Sequence, residues 1–183
     1  MSALDNQPLN KNFLSPFGYK FFIKKTPNVN WFIQSINLPG ISLARTDVSN
    51  PFIAFPVGGD HLKFENLNVT FRVDEDLANY KEIYDWLNGI GFPDSFDQYK
   101  QLAQKTFSEN TGNILSGTGN SLVSDATLIL STSAMNPNIE ITFIDLFPVG
   151  LSQLQFDSRL TDMNYVEATV TFAYRKFNLN TSL

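Results

Sequence analysis

The sequence predicts a mainly β protein, a barrel or sandwich with one flanking α-helix. Two alternating segments and one helical pattern carry that prediction. Val166, Ala168, Val170, Phe172 and Tyr174 alternate with Glu167, Thr169, Thr171 and Arg175, the period-two pattern of a half-buried strand. Leu67, Val69, Phe71 and Val73 alternate with Asn68, Thr70 and Arg72 in the same way. The period then changes: Leu77, Tyr80, Ile83, Tyr84 and Leu87 fall on one face at helical spacing. A long, half-polar strand in a β-rich chain points to a sheet that continues beyond one subunit. That favours a self-assembling scaffold over an enzyme with a pocket.

Taken in order, residues 1–16 are polar and Asn-rich and read as an N-terminal arm. Phe17–Lys25 and Trp31–Asn37 read as strands joined by a turn at Thr26-Pro27-Asn28. Leu38-Pro39-Gly40 breaks the second strand. Ile41–Asp60 holds strand residues together with Pro51, Pro56, Gly58 and Gly59. It is too long for a tight turn and too apolar for a solvated loop. An extended hairpin that docks on another subunit through Phe52, Ile53, Phe55 and Val57 accounts for both facts. The competing reading is a hairpin folded over its own core.

Leu62–Asp74 reads as a further strand, with a bulge near Glu65-Asn66 where the alternation changes phase. Asp74-Glu75-Asp76 places negative charge at a helix start, with Asp76 as N-cap. Asn88-Gly89 stops that helix, and Pro93 follows. Trp86 lies off the apolar face and reads either as an interface anchor or as a sheet-edge cover. Ser95–Phe107 reads as a second helix and Ser108–Ser124 as a Gly- and Ser-rich loop. Thr127–Leu130 resumes strand. Asn138–Phe156 reads as strand, Phe-Pro-Val-Gly turn, strand. The count is about seven strands. We read 17–183 as one domain with an insertion at about 95–124.

Composition narrows the function. Hydrophobic residues make up 43%, with 17 Phe, enough for an aromatic core. Charged residues are 17%, below the usual share of about a quarter, as expected of a surface shielded by partners. The net charge of −5 argues against a nucleic-acid binder. The first residues lack a basic start followed by an apolar run, so no signal peptide is expected. No run approaches the roughly eighteen apolar residues of a membrane helix. The expectation is a protein made in a cytoplasm.

No catalytic, cofactor or metal site is expected. With no cysteine and the single histidine His61, neither a thiolate or multi-histidine metal centre nor a Cys-His device can be built in one chain. A Ser-His-Asp device would have to use His61. Helix capping explains the acidic triplet, and Gly117-Thr118-Gly119 lacks the Lys-Ser/Thr of a phosphate loop. A glycosidase needs two carboxylates roughly 5–10 Å apart, and nothing singles out a pair.

The order of segments carries a resemblance. Leu38-Pro39-Gly40, PVGGDHLKFENLNVTF, the helix DEDLANYKEIYDWLN, IEITFIDLFPVGLSQLQF and VEATVTFAYRKF together resemble the tail-tube proteins of contractile-tailed bacteriophages. The same fold is shared by baseplate tube-initiator proteins and by the hemolysin-coregulated protein of type VI secretion. The resemblance spans Phe17 to Phe177, and the 95–124 insertion departs from it. It implies a structural virion protein in a sixfold ring whose sheets join into one inner barrel. Stacked rings would form a tail tube, in contact with sheath and baseplate proteins, through which DNA passes. A baseplate initiator or tube-end adaptor is the alternative within the fold. Glu167, Thr169 and Thr171 are then candidates for the lumen: polar, without positive charge, offering DNA no ion pairs. From a different class stands a β-sandwich carbohydrate- or receptor-binding module. The aromatic residues, 14% of the chain, would suit sugar stacking, but most hold alternating strand positions and read as core.

Overall fold

The computed structural model describes residues 12–91, 93–104, 122–157, 159 and 165–181. Residues 1–11 of the arm expected at 1–16, and most of the loop expected at 108–124, lie outside these residues. Nine strands and three helices are described. They are β1 (Tyr19–Ile23), α1 (Pro27–Trp31), β2 (Ile33–Ile36), β3 (Ile41–Ser49), β4 (Ala54–Phe64) and β5 (Leu67–Arg72). There follow α2 (Ala78–Gly91), α3 (Phe96–Gln104), β6 (Ser124–Ser131), β7 (Pro137–Leu151), β8 (Glu167–Ala173) and β9 (Lys176–Asn180). The chain is mostly β, as the alternation predicts, and carries flanking helices, of which α2 is the one expected from the helical spacing.

β7 organises the molecule. Its first part pairs with β6 on one side and β9 on the other; its last part pairs with β8. The strand order is β1-β6-β7-β8-β5-β2, all antiparallel. The predicted Phe-Pro-Val-Gly turn is therefore not a turn. Phe147 pairs with Ala173 and Pro148 with Phe172, and the register shifts at Val149 before Gly150 meets Thr171. Proline is tolerated because β6 has already left: its last partner on β7 is Leu146. An edge segment needs no donor on its open side, and a bulge relieves the rest.

The phase change at Glu65-Asn66 is a change of sheet rather than a bulge. β4 pairs with β3 in a separate two-stranded sheet, whereas β5 pairs with β2 and β8. The Glu65 amide donates to the Gly40 carbonyl at 3.0 Å, closing the base of that ribbon. Between β1 and β2 the expected turn at Thr26-Pro27-Asn28 is instead the start of the single-turn helix α1, which takes in Trp31, and the strand begins at Ile33. Glu82 of α2 accepts from the Asn28 amide (3.2 Å) and the Asn28 side chain (2.8 Å). It meets an amide in the first turn of α1, where Thr26 makes no side-chain cap.

The core is one apolar cluster. Alternate residues of β5 and β8 (Leu67, Val69, Phe71, Ala168, Val170, Phe172) join Phe21, Leu128, Ile141 and Phe143 under Ile83 and Trp86 of α2. Trp86 is buried, 6.1 Å from Phe172 centroid to centroid, and its indole N–H donates to the Leu122 carbonyl at 2.8 Å. It is neither an interface anchor nor an edge cover. The buried face of α2 runs through Asn79, Ile83, Trp86 and Gly89, and Leu77 and Tyr84 are exposed. The helix starts after Leu77, and the Asp74 carboxylate, not Asp76, accepts from a first-turn amide, that of Asn79 at 3.4 Å. Gly89 does not stop it. A Cβ there would lie 2.7 Å from Leu102 Cδ2, so its absence lets α3 pack on α2.

Candidate functional site: an exposed hairpin and a polar sheet face

β3 and β4 form a ribbon that leaves the sheet. Nine residues at about 3.3 Å each give it a reach of roughly 30 Å. Its register runs from Ile41↔Phe64 at the root to Ser49↔Ala54 near the tip, with a shift between Leu43 and Arg45. The root is anchored by Phe64, whose ring lies 6.0 Å from Tyr174 and 5.6 Å from Phe177. Beyond the root the apolar residues lie open among the described residues. Phe52 is 95% exposed, Ile53 67%, Phe55 45% and Val57 44%. Among the described residues the hairpin is not folded over the core. A soluble surface rarely strings this many apolar residues along an unpaired ribbon unless something binds it.

The second candidate surface is the open face of β5 and β8. Glu167, Thr169 and Thr171 point away from the core that Ala168, Val170 and Phe172 enter. They sit opposite Arg72, Thr70 and Asn68 on β5. Thr70 and Thr169 hydroxyls are 3.0 Å apart, and the Thr171 hydroxyl donates to Asn68 Oδ1 at 2.9 Å. Arg72 Nε lies 3.7 Å from Glu167 Oε1. The face is thus a ladder of neutral polar pairs ending in one ion pair, so its one guanidinium is matched by a carboxylate. Ser152 extends it: its hydroxyl accepts from the Thr169 amide at 2.9 Å. Sequence reasoning found the alternation on both strands. It could not find the cross-strand partners, which depend on register.

His61 is exposed on β4 with Nδ1 2.8 Å from Asp60 Oδ1. Among the described residues no group of three or more acidic or histidine side chains could hold a metal, and no helix is long and apolar enough to cross a membrane.

An antiparallel β core flanked by helices, with a projecting apolar ribbon and a neutral polar face, defines a structural assembly protein. The phage tail tube protein family model matches residues 6–180, and the chain belongs to that family of structural tube proteins. Comparison with curated proteins gives no match. Solved structures share the fold. One is a chain of the "anti-feeding prophage cap (AFP tube terminating cap)", with a TM-score of 0.59, 12% identity and 100% of both chains covered. Another is from the "PVC sheath/tube terminator in extended state", with a TM-score of 0.59, 14% identity, and 93% of this chain and 99% of that one covered. A third, from the "PVC sheath-tube complex in extended state", has a TM-score of 0.53, 14% identity and 93% of each chain covered.

Proposed function

We propose that this chain is a ring-forming subunit of a contractile-tail tube, a structural virion component with no enzymatic role. The single observation that carries the reading is the β3–β4 ribbon. Its apolar residues Phe52, Ile53, Phe55 and Val57 are exposed in one copy, and burial against a neighbour would remove that cost. Sixfold closure gives a ring of about 124 kDa, six times 20.6 kDa. The chain then acts as one domain, with an arm at 1–16 and an insertion at 95–124. The neutral ladder of Thr169 and Thr171, with Glu167 matched to Arg72, lines the bore. DNA passing there during ejection meets hydroxyls and water, with little to exchange for its condensed counterions. Sheath and baseplate proteins are the outer partners, and the tail is assembled in the host cytoplasm.

A second reading places the chain at the end of the tube rather than along it. It is favoured by the structures described as a tube terminating cap and a sheath/tube terminator, whose fold likeness exceeds that of the sheath-tube complex. Mass photometry across concentrations, with electron microscopy of the purified protein and the particle, tests both. Rings at regular intervals support the tube subunit. One ring per particle, at one end, supports the terminator. A strict monomer at high concentration, with no ring of this chain in the particle, removes both.

A further inference from the structure

A second apolar surface lies away from the ribbon. Among the described residues β1 pairs with β6 alone and β2 with β5 alone. The two strands flank an open groove of about 630 Å3 whose lining includes Phe17, Tyr19, Phe22, Ile33 and Ile36. Phe17 is 84% and Phe22 49% exposed.

Part of the groove's backbone edge is already hydrogen-bonded within the chain. The Tyr19 hydroxyl donates across it to the Gln34 carbonyl at 2.6 Å. At the end of β1, Asn30 takes both backbone groups of Ile23, accepting from its amide at 2.9 Å and donating to its carbonyl at 3.0 Å. With those edge groups met, an occupant gains chiefly where it buries apolar side chains in the groove. The hairpin tip has that form: Pro51 lacks an N–H, and Phe52 and Ile53 project bare. The same chain's tip does not fill its own groove, because Phe52 is almost fully exposed.

Charge agrees. Residues 48–59 carry none and are flanked by Asp47 and Asp60. Residues 17–26 carry Lys20, Lys24 and Lys25 and no acid. Lys24 is held by Asp125 at 3.2 Å, whereas no ion pair holds Lys20 among the described residues. Two different, complementary patches on one chain make a heterologous contact, the kind that closes rings or stacks them.

We infer that the β1–β2 groove receives the β3–β4 hairpin tip of a second copy, with Phe52 and Ile53 seated beside Tyr19, Ile33 and Ile36, and Asp47 facing Lys20. The inference rests on the reading that the ribbon engages a neighbouring subunit.

The chain has no cysteine, so single cysteines report cleanly. Asn50→Cys and a size-tagged Phe22→Cys are mixed at high concentration and mildly oxidised. A mixed-size disulfide is the expected product, well above either same-variant dimer. Lys20→Glu and Asp47→Lys should each weaken association about two- to fivefold, and the double exchange should restore it. Phe52→Ser is the control for the underlying reading. If it blocks association while no mixed disulfide forms and Lys20→Glu has no effect, the hairpin is a donor but the groove is not its acceptor. If Phe52→Ser leaves association intact, the ribbon reading fails and takes the groove with it.

Discussion

Arg175 holds Asp145 across the point where β7 and its β8–β9 partner bend together, with Nε 3.1 Å from Oδ2. Asp145 has φ of 56°, in the left-handed region. On one side of it Phe147 pairs with Ala173, and on the other Ile144 pairs with Lys176. The spacing is the same along both strands, so β8 and β9 are one ribbon interrupted at Tyr174-Arg175. The Arg175 amide donates to the Ile144 carbonyl at 3.0 Å and keeps the ladder connected through the corner. Such a bend lets one strand serve two sheet portions around a single core.

The corner predicts an order of stabilities at Asp145. A β-branched side chain cannot adopt that φ cheaply, so Asp145→Val should cost about 1–3 kcal/mol. Asp145→Gly relieves the strain and loses only an exposed ion pair, worth about 0–1 kcal/mol. Urea unfolding midpoints distinguish them. Equal losses in both variants would assign the effect to the ion pair instead of the backbone.

Trp86 should be the most costly single truncation on α2. Trp86→Ala opens a cavity against Phe172 and leaves the Leu122 carbonyl without its donor. A loss of about 3–5 kcal/mol is expected. Tyr84→Ala, at an exposed position of the same helix, should change stability by about 0.5 kcal/mol or less. Comparable losses at the two positions would reverse our placement of the helix face.

The hairpin should separate assembly from folding. Phe52 and Phe55 are exposed and stand outside the core cluster of the described residues, so changing both to Ser should leave the melting temperature within a degree or two of the parent. Assembly should fall sharply, because each Phe buried at an interface contributes about 1.5–3 kcal/mol. Thermal melts and sedimentation velocity are compared on the same samples. A parallel loss of melting temperature would mean that the ribbon packs on its own subunit.

Tyr174 gives the chain a sensitivity to alkali. Its hydroxyl is buried with no hydrogen-bond partner among the described residues, and its pKa is pushed up to about 12, first by burial and then by the nearby Glu65 carboxylate. The folded state holds this proton more tightly than the unfolded chain. Its contribution is therefore complete below the ordinary tyrosine value of 10.0 and lost as pH rises towards about 12. Tyr174→Phe removes the unpaired hydroxyl. It should match or exceed the parent's stability at neutral pH and flatten the decline over that alkaline window. An identical alkaline profile in the variant assigns the decline to other groups.

The proposed bore gives a kinetic prediction. Thr169 and Thr171 face away from the core, so replacing both with Lys should leave folding largely intact. Genome ejection should slow, and more so at low salt, because contacts to phosphates depend on salt. Ejection rates from particles carrying the double change are measured at two salt concentrations. Unchanged rates would take these positions out of the bore.

The alternation of β5 and β8 was legible in the sequence because side-chain period alone decides which face of a strand is buried. Leu67, Val69, Phe71, Ala168, Val170 and Phe172 were thereby set as core, and Glu167, Thr169 and Thr171 as the open face. The hairpin was legible too, since Phe52, Ile53, Phe55 and Val57 among prolines and glycines fit neither a loop nor a core strand. Where a strand changes partner was not legible. Pro148-Val149-Gly150 has the local chemistry of a turn, and only the departure of β6 at Leu146 makes room for it inside a 15-residue strand. Likewise the phase change at Glu65 has one local signature for a bulge and for a change of sheet. Trp86 looked peripheral on an ideal wheel because the wheel was phased on Leu77 and Tyr84. The packed helix is rotated towards Asn79 and Ile83, where the Leu122 carbonyl waits for the indole. Side-chain period is local and survives in the sequence. Partner choice, helix rotation and the pairing of Arg175 with Asp145 are settled by residues distant in the chain, and only the folded chain brings those together.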